Sequence, residues 1–220
     1  MTEGRKLLTC GEHAVLVEVA GLEDVLALAQ AVREAVAAGA AGFTDIVDIV
    51  PAARTVLVVL RDDAPMGLMR QALSTLPDAQ PDELPSSGET LEVPVHYDGP
   101  DLADVAKLTG LPIDGVIAAH TGTEWKVAFG GFAPGFAYLR GGDSRLEVPR
   151  RSEPRTAVPS GSVALAGEFS AIYPRSSPGG WQLIGRTDIE IFNPDREPPA
   201  LLRAGATVRF VDVSGARHGG

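Results

Sequence analysis

Pro77 to Thr90 reads PDAQPDELPSSGET, with three prolines, four acidic residues and almost nothing apolar. Proline lacks the amide donor that a sheet or helix interior requires, and a run this polar has nothing to bury. The stretch therefore predicts an exposed connection between two separately packed domains: residues 1–80, a linker at 81–90, and residues 91–220. On its N-terminal side, Leu7 to Val19 reads as one or two extended segments. Glu23 to Ala38 places Val25, Leu26, Leu28, Ala29, Val32 and Val36 at helical spacing and ends at Gly39. Thr44 to Val50 and Thr55 to Leu60 are β-branched runs separated by Pro51, Ala52 and Ala53, as in a hairpin. Met66, Met69, Leu73 and Leu76 then mark a second helix. A β-α-β-β-α order predicts an α+β domain of ferredoxin-like type.

On the C-terminal side, Leu91 to His96 predicts a strand. Leu102 to Leu108 predicts a short helix ended by Gly110, and Asp114 to His120 another. Helical periodicity then disappears. Trp125 to Phe129, Val163 to Ala166, Ser170 to Tyr173, Trp181 to Arg186, Glu190 to Phe192 and Thr207 to Val213 are short, β-rich and divided by Gly/Pro clusters, which predicts a β-barrel or sandwich. The fold class of the whole is α+β.

Composition narrows the function. The 220 residues (23.0 kDa) are 45% hydrophobic with a mean hydropathy of +0.08. A chain of this size buries roughly 70% of its unfolded surface, which excludes disorder. Cys10 is the single cysteine, so no internal disulfide forms. In Met1 to Ala20, Glu18 interrupts the apolar run that a signal peptide needs, and the expected compartment is the cytoplasm. No stretch approaches the roughly 20 apolar residues of a membrane span. The net charge of −10 repels phosphate backbones, so neither a membrane nor a nucleic acid is an expected partner.

The charge is uneven: residues 1–89 hold 6 basic and 14 acidic side chains, residues 90–220 hold 13 and 15. Six arginines (Arg140, Arg145, Arg150, Arg151, Arg155 and Arg175) fall within 36 residues. Guanidinium groups grip carboxylate and phosphate in a fork that lysine cannot copy, so the stretch is a candidate anion site. Interleaved Asp143, Glu147 and Glu153 predict plain surface ion pairing for Arg140 and Arg145.

Several chemistries lack their residues. Lys6, Lys107 and Lys126 all have the wrong neighbours for a phosphate-binding P-loop, and none is flanked by methionine as a biotin-bearing lysine is. No biotin is expected on this chain. His13, His96, His120 and His218 show no paired spacing, so no metal site is expected. No serine sits in G-x-S-x-G, and Cys10 reads as structural beside His13.

The most distinctive run is Gly130 to Leu139, GGFAPGFAYL, where glycines permit close backbone approach and aromatics supply an apolar wall. Pro149 to Arg155 (PRRSEPR), Val158 to Val163 (VPSGSV) and Ser177 to Thr187 (SPGGWQLIGRT) follow. With GEHAVLVEVAG at Gly11 to Gly21, GLP at Gly110 to Pro112 and the closing PPALL at Pro198 to Leu202 with GATVRF at Gly205 to Phe210, these resemble one family over nearly the whole chain. That family contains the B-type subunit of bacterial 5-oxoprolinase, subunit 1 of allophanate hydrolase and the Kip-type sporulation kinase inhibitor.

The resemblance implies a ferredoxin-like domain followed by a cyclophilin-like β-barrel, the carboxyltransferase C and D arrangement. It implies a barrel partner of the C type (allophanate hydrolase subunit 2-like), a third subunit of the A type, and an active cleft shared between chains. The implied reaction is ATP-dependent opening of the small anionic amide 5-oxo-L-proline to L-glutamate, with ATP acting in the complex. A subunit of allophanate hydrolase or of a urea carboxylase-like carboxyltransferase, or a histidine-kinase inhibitor, are the alternatives it implies. On that chemistry His120 is a candidate acid or base, with capping of its helix as the plain alternative. Arg155 is a candidate catalytic group and, with Arg150, Arg151 and Arg186, a candidate to hold substrate carboxylate or phosphate. Gly131, Gly135 and Gly161 would offer backbone amides, and Phe132, Pro134, Phe136, Tyr138 and Trp181 would line the pocket or pack as core. This chain departs from the family pattern at Phe169, Ser170 and Ala171, where a substrate contact is expected to differ. Asp114-Gly115 replaces a stronger helix-forming pair.

Overall fold

The computed structural model describes residues 5–77, 88 and 90–215. Of the linker expected at 81–90, only Gly88 and Thr90 lie within the described residues. The chain divides into two compact units, Met1–Leu84 and Pro85–Gly220.

In the first unit the segment Leu7 to Val19 is two strands, β1 (Lys6–Cys10) and β2 (Ala14–Glu18), because Gly11 turns at φ 66°, a left-handed value that suits glycine. Helix α1 (Leu22–Ala37), β3 (Ile46–Pro51), β4 (Thr55–Leu60) and α2 (Met66–Thr75) follow. All pairings are antiparallel in the order β1-β2-β4-β3. This is the ferredoxin-like sheet with one change: the edge place beside β2, which a strand after the second helix would take, is filled by β1. Strand alternation buries Val15 and Val17 of β2 and Val56, Val58 and Leu60 of β4. Val25, Leu28, Ala29 and Val32 of α1 and Met69 and Leu73 of α2 are buried with them. Arg5 donates to the Leu76 carbonyl at 2.8 Å and Arg70 to the Leu7 carbonyl at 3.0 Å, which ties β1 to α2.

The second unit runs β5 (Thr90–Val95), α3 (Leu102–Thr109), α4 (Ile113–Thr121), β6 (Trp125–Gly130), β7 (Ala137–Arg140) and a 3-10 turn (Ser144–Leu146). It continues with β8 (Arg155–Val158), β9 (Ser162–Ala166), β10 (Phe169–Ile172), β11 (Ser177–Gly179), β12 (Gln182–Arg186) and β13 (Thr207–Asp212). Seven strands form one sheet, β12-β9-β10-β7-β6-β13-β5, antiparallel except for the β13–β5 pair. Its two ends meet: His96 and Arg186 exchange both backbone hydrogen bonds at 2.9 Å, so the sheet curls into a nearly closed barrel. The crossing is tight enough that a Cβ on Gly99 would collide with the Ile184 backbone.

The barrel carries cores on both sides of its wall. On β9, Val163 and Leu165 point inward with Val93, Val127, Leu139, Ile172, Ile184 and Phe210, under α3 and α4. Ala164 and Ala166 point outward with Ala171 and Leu183, and the three short alanines leave room for Phe136, Tyr173 and Trp181 to pack on the outer face. A separate ribbon, β8–β11, contributes Val158 to that outer cluster. The expected strand at Glu190 to Phe192 does not form; a bridge between Phe192 and Ala200 stands in its place. The α+β class, the ferredoxin-like half and the barrel half are as the sequence predicts.

Candidate functional site

The outer core is the floor of the candidate site, and a buried carboxylate organises its charged edge. Asp101, at the start of α3, is 1% exposed. Its Oδ1 accepts from Arg151 Nη1 at 2.6 Å and Arg155 Nη2 at 2.8 Å, and its Oδ2 accepts from the Leu183 N–H at 2.7 Å. Burial alone would raise its carboxyl. The Arg155 hydrogen bond, then the Leu183 N–H and the two guanidinium charges, outweigh burial and hold it below the ordinary carboxylate value. Arg155 opens β8, and Arg151 lies in the preceding loop, anchored by its N–H to the Gly180 carbonyl at 2.8 Å. Among the described residues Arg155 Nη1 is buried with no hydrogen-bond partner, and so is Ser177 Oγ on β11.

Beside this node the Arg150 guanidinium sits 5.9 Å from the centroid of Trp181, a cation–π placement. Trp181 meets Phe136 and Tyr138 edge-on, both at 5.6 Å, and Phe136 meets Tyr173 at 5.3 Å. Phe132 caps the group, 5.2 Å from Phe136 and 6.5 Å from Tyr173. It is 62% exposed at φ 66°, an unusual backbone state for a bulky residue. Burial raises the Tyr173 phenol, opposed by the Arg150 charge, the Trp181 N–H and Arg155. Phe132, Phe136, Tyr138, Trp181, Arg150, Arg151 and Arg155 are therefore one continuous patch, with Pro134 exposed on its rim.

Other expected residues lie elsewhere or are occupied. His120 is fully buried inside the barrel, stacked on Phe210 at 4.2 Å, with Tyr97 Oη 2.7 Å from Nδ1 and Ser170 Oγ 3.0 Å from Nε2. Burial pushes it down to about 3, so it stays neutral with both ring nitrogens engaged. The expectation of an acid or base at His120 is corrected: it is a core residue. Its backbone carbonyl accepts from Trp125 Nε1 at 3.0 Å. Arg186 is half exposed and pairs instead with Asp98 at 3.0 Å and Asp188 at 3.8 Å. The Gly131 and Gly161 amides donate to the Phe136 and Tyr173 carbonyls, so neither is available to a ligand. Gly135 instead makes room: a Cβ there would collide with the Phe192 side chain. Arg145 pairs with Asp143 as expected of surface charges.

Asp101, Tyr173 and Ser177 escaped sequence reasoning. Asp101 carried one signal, its place directly ahead of a helix after Gly99-Pro100. A cavity of about 170 Å³ is lined by Trp125, Arg140, Gly142, Glu147, Glu168 and Phe169 among others, and it does not include the Asp101 node. Among the described residues there is no cluster of three or more potential metal ligands, and no helix is long and apolar enough to cross a membrane.

Comparison with known proteins agrees with this architecture. Residues 5–202 match the family described as carboxyltransferase domain, subdomain C and D. The chain is 40% identical over 207 residues to the B-type subunit of 5-oxoprolinase from Escherichia coli O157:H7, covering 91% of this chain and 93% of that protein. It is 50% identical over 127 residues to the corresponding 5-oxoprolinase subunit of Bacillus subtilis (strain 168), covering 56% of this chain and about half, 53%, of the relative. The crystal structure of TTHA0988 superposes with a TM-score of 0.74 at 33% identity, over 91% of this chain and 39% of that one. The K. lactis urea amidolyase shares the fold, with a TM-score of 0.73 at 19% identity over 96% of this chain and 15% of that one. A family match over residues 5–202, with 40% identity to a relative across 91% of the chain, makes the chain a member of the carboxyltransferase-domain family, subdomains C and D.

Proposed function

We propose that this chain is the B-type subunit of an ATP-dependent 5-oxoprolinase. It would act in the cytoplasm with a C-type barrel subunit and an A-type subunit to open 5-oxo-L-proline to L-glutamate. Near-full-length similarity to a protein named as the B-type subunit of 5-oxoprolinase supports the family of reaction. The observation that carries the reading is the Asp101 node, where a buried carboxylate fixes two arginines and leaves a guanidinium nitrogen of Arg155 without an acceptor among the described residues.

Lactam hydrolysis adds water across a C–N bond, and negative charge builds on the carbonyl oxygen before the ring nitrogen leaves with a proton. A fixed guanidinium suits this because it holds an anionic substrate in register without reorganising. Asp101 supplies the fixity and the aromatic floor excludes water. The sequence has no P-loop, and ATP is assigned to the complex.

The test is reconstitution with C-type and A-type subunits. Glutamate release from 5-oxoproline that needs ATP and all three chains is the expected result. Absence of turnover above background with every subunit folded would overturn it, and ATP-independent ammonia release from allophanate would move the chain to allophanate hydrolysis.

A further inference from the structure

The β8–β11 ribbon holds the two buried side-chain atoms without partners found among the described residues, Arg155 Nη1 and Ser177 Oγ. Buried donors in native proteins are nearly always satisfied, so two orphans on adjacent strands call for an acceptor that the described residues do not supply. Strand register places both on one face. Gly179 lies opposite Arg155 and Ser177 opposite Val158, and residues opposite one another in an antiparallel pair project to the same side. Val158 is fully buried in the outer cluster, and a Cβ on Gly179 would run into the Tyr173 hydroxyl. Both pairs therefore face Tyr173. The local charge is also unbalanced: Arg151 and Arg155 share the single buried carboxylate of Asp101, and the Arg150 guanidinium lies over Trp181.

We propose that the inner face of the β8–β11 ribbon is a carboxylate-binding site, in which Arg155 Nη1 and Ser177 Oγ each donate to one carboxylate oxygen. Asp101 is its positioning residue, holding the guanidinium through Nη2 so that Nη1 stays directed at the ligand. A carboxylate fits better than a phosphate because two donors match two oxygens, and because the Tyr173 hydroxyl beside Gly179 narrows this face. The assignment of the ligand as 5-oxoproline rests on the function proposed above. On it, the site holds the non-reacting end of the substrate, and Arg155 is a binding residue, with the lactam carbonyl presented to other groups.

The experiment measures binding of 5-oxoproline, its neutral carboxamide, glutamate, acetate and inorganic phosphate to the full chain by calorimetry, and 5-oxoproline kinetics in the reconstituted complex. The expected result is saturable binding of the carboxylates, at least about tenfold weaker binding of the carboxamide, and a loss of about tenfold in Ser177→Ala, the equivalent of one hydrogen bond. In the complex Ser177→Ala raises KM by about the same factor and leaves kcat within about twofold. Arg155→Ala strips Asp101 of one of its two arginines and risks the fold. Ser177→Ala, which removes one oxygen, is therefore the deciding variant, with Arg155→Lys as its companion. Equal binding of the carboxamide, preference for phosphate, an unchanged Ser177→Ala, or no carboxylate affinity in either chain or complex overturns the site. Turnover of 5-oxoproline with an unchanged KM in Ser177→Ala sinks the site and leaves the function standing. Ser177-dependent binding of acetate or glutamate without 5-oxoproline turnover does the reverse.

Discussion

Asp101 shows how much one buried residue decides. Removing one partner of a buried ion pair costs about 3–5 kcal/mol because a charge is left uncompensated. Asp101→Asn, which strands two partly exposed arginines, is expected near the low end, about 3 kcal/mol, by urea denaturation at pH 7. Its carboxyl is depressed in the folded chain, so its contribution is present above the unfolded value of about 3.9 and is lost as pH falls through the lower folded one. His120 acts over a wider window. Folded, it is held down to about 3; unfolded, it takes a proton near 6.5. Between these values the unfolded state binds the extra proton, so stability falls as pH drops from about 6.5 toward 3. Denaturation midpoints across that range should fall in the native chain and flatten in His120→Asn. The sequence made the chemistry of His120 visible and its surroundings invisible: Tyr97, Ser170 and Phe210 reach it from positions 23 to 90 residues away.

At the level of elements, alternation does most of the positioning. The outward alanines of β9 and β10 are small because the Phe136, Tyr173 and Trp181 rings lie over the same outer face. Ala164→Leu should overpack this layer and lower stability by about 1–3 kcal/mol, read as a drop in Tm, together with weaker ligand binding as Trp181 is displaced. Gly179→Ala should disturb the same layer from the ribbon side, since its new methyl would collide with the Tyr173 hydroxyl. Long periodic elements were legible: α1, α2 and the β3–β4 hairpin follow the apolar pattern. Short ones were less so. β7, β8 and β11 span three or four residues beside glycines and prolines, too few to display a period, and Glu190 to Phe192 has strand-forming residues without a neighbouring strand to pair with.

For the whole molecule, the proline-rich stretch stands between a helical period and a β-rich one, and the division after Leu84 falls inside it. Barrel closure had no such marker, since the His96–Arg186 pairing joins positions 90 residues apart and leaves no local trace. Each unit has its own core, so a fragment of residues 85–220 should fold by itself, giving dispersed amide resonances and a cooperative thermal transition. A collapsed spectrum would show that the second core depends on the first. The meeting of β5 with β12 also decides how the second unit can greet other polypeptides. With its end strands bridged at His96–Arg186, that sheet leaves a stray segment less open ladder on which to zip up, so templated aggregation and strand swapping find less purchase there. The first unit does keep such a margin at β3, where Val47 is 57% exposed.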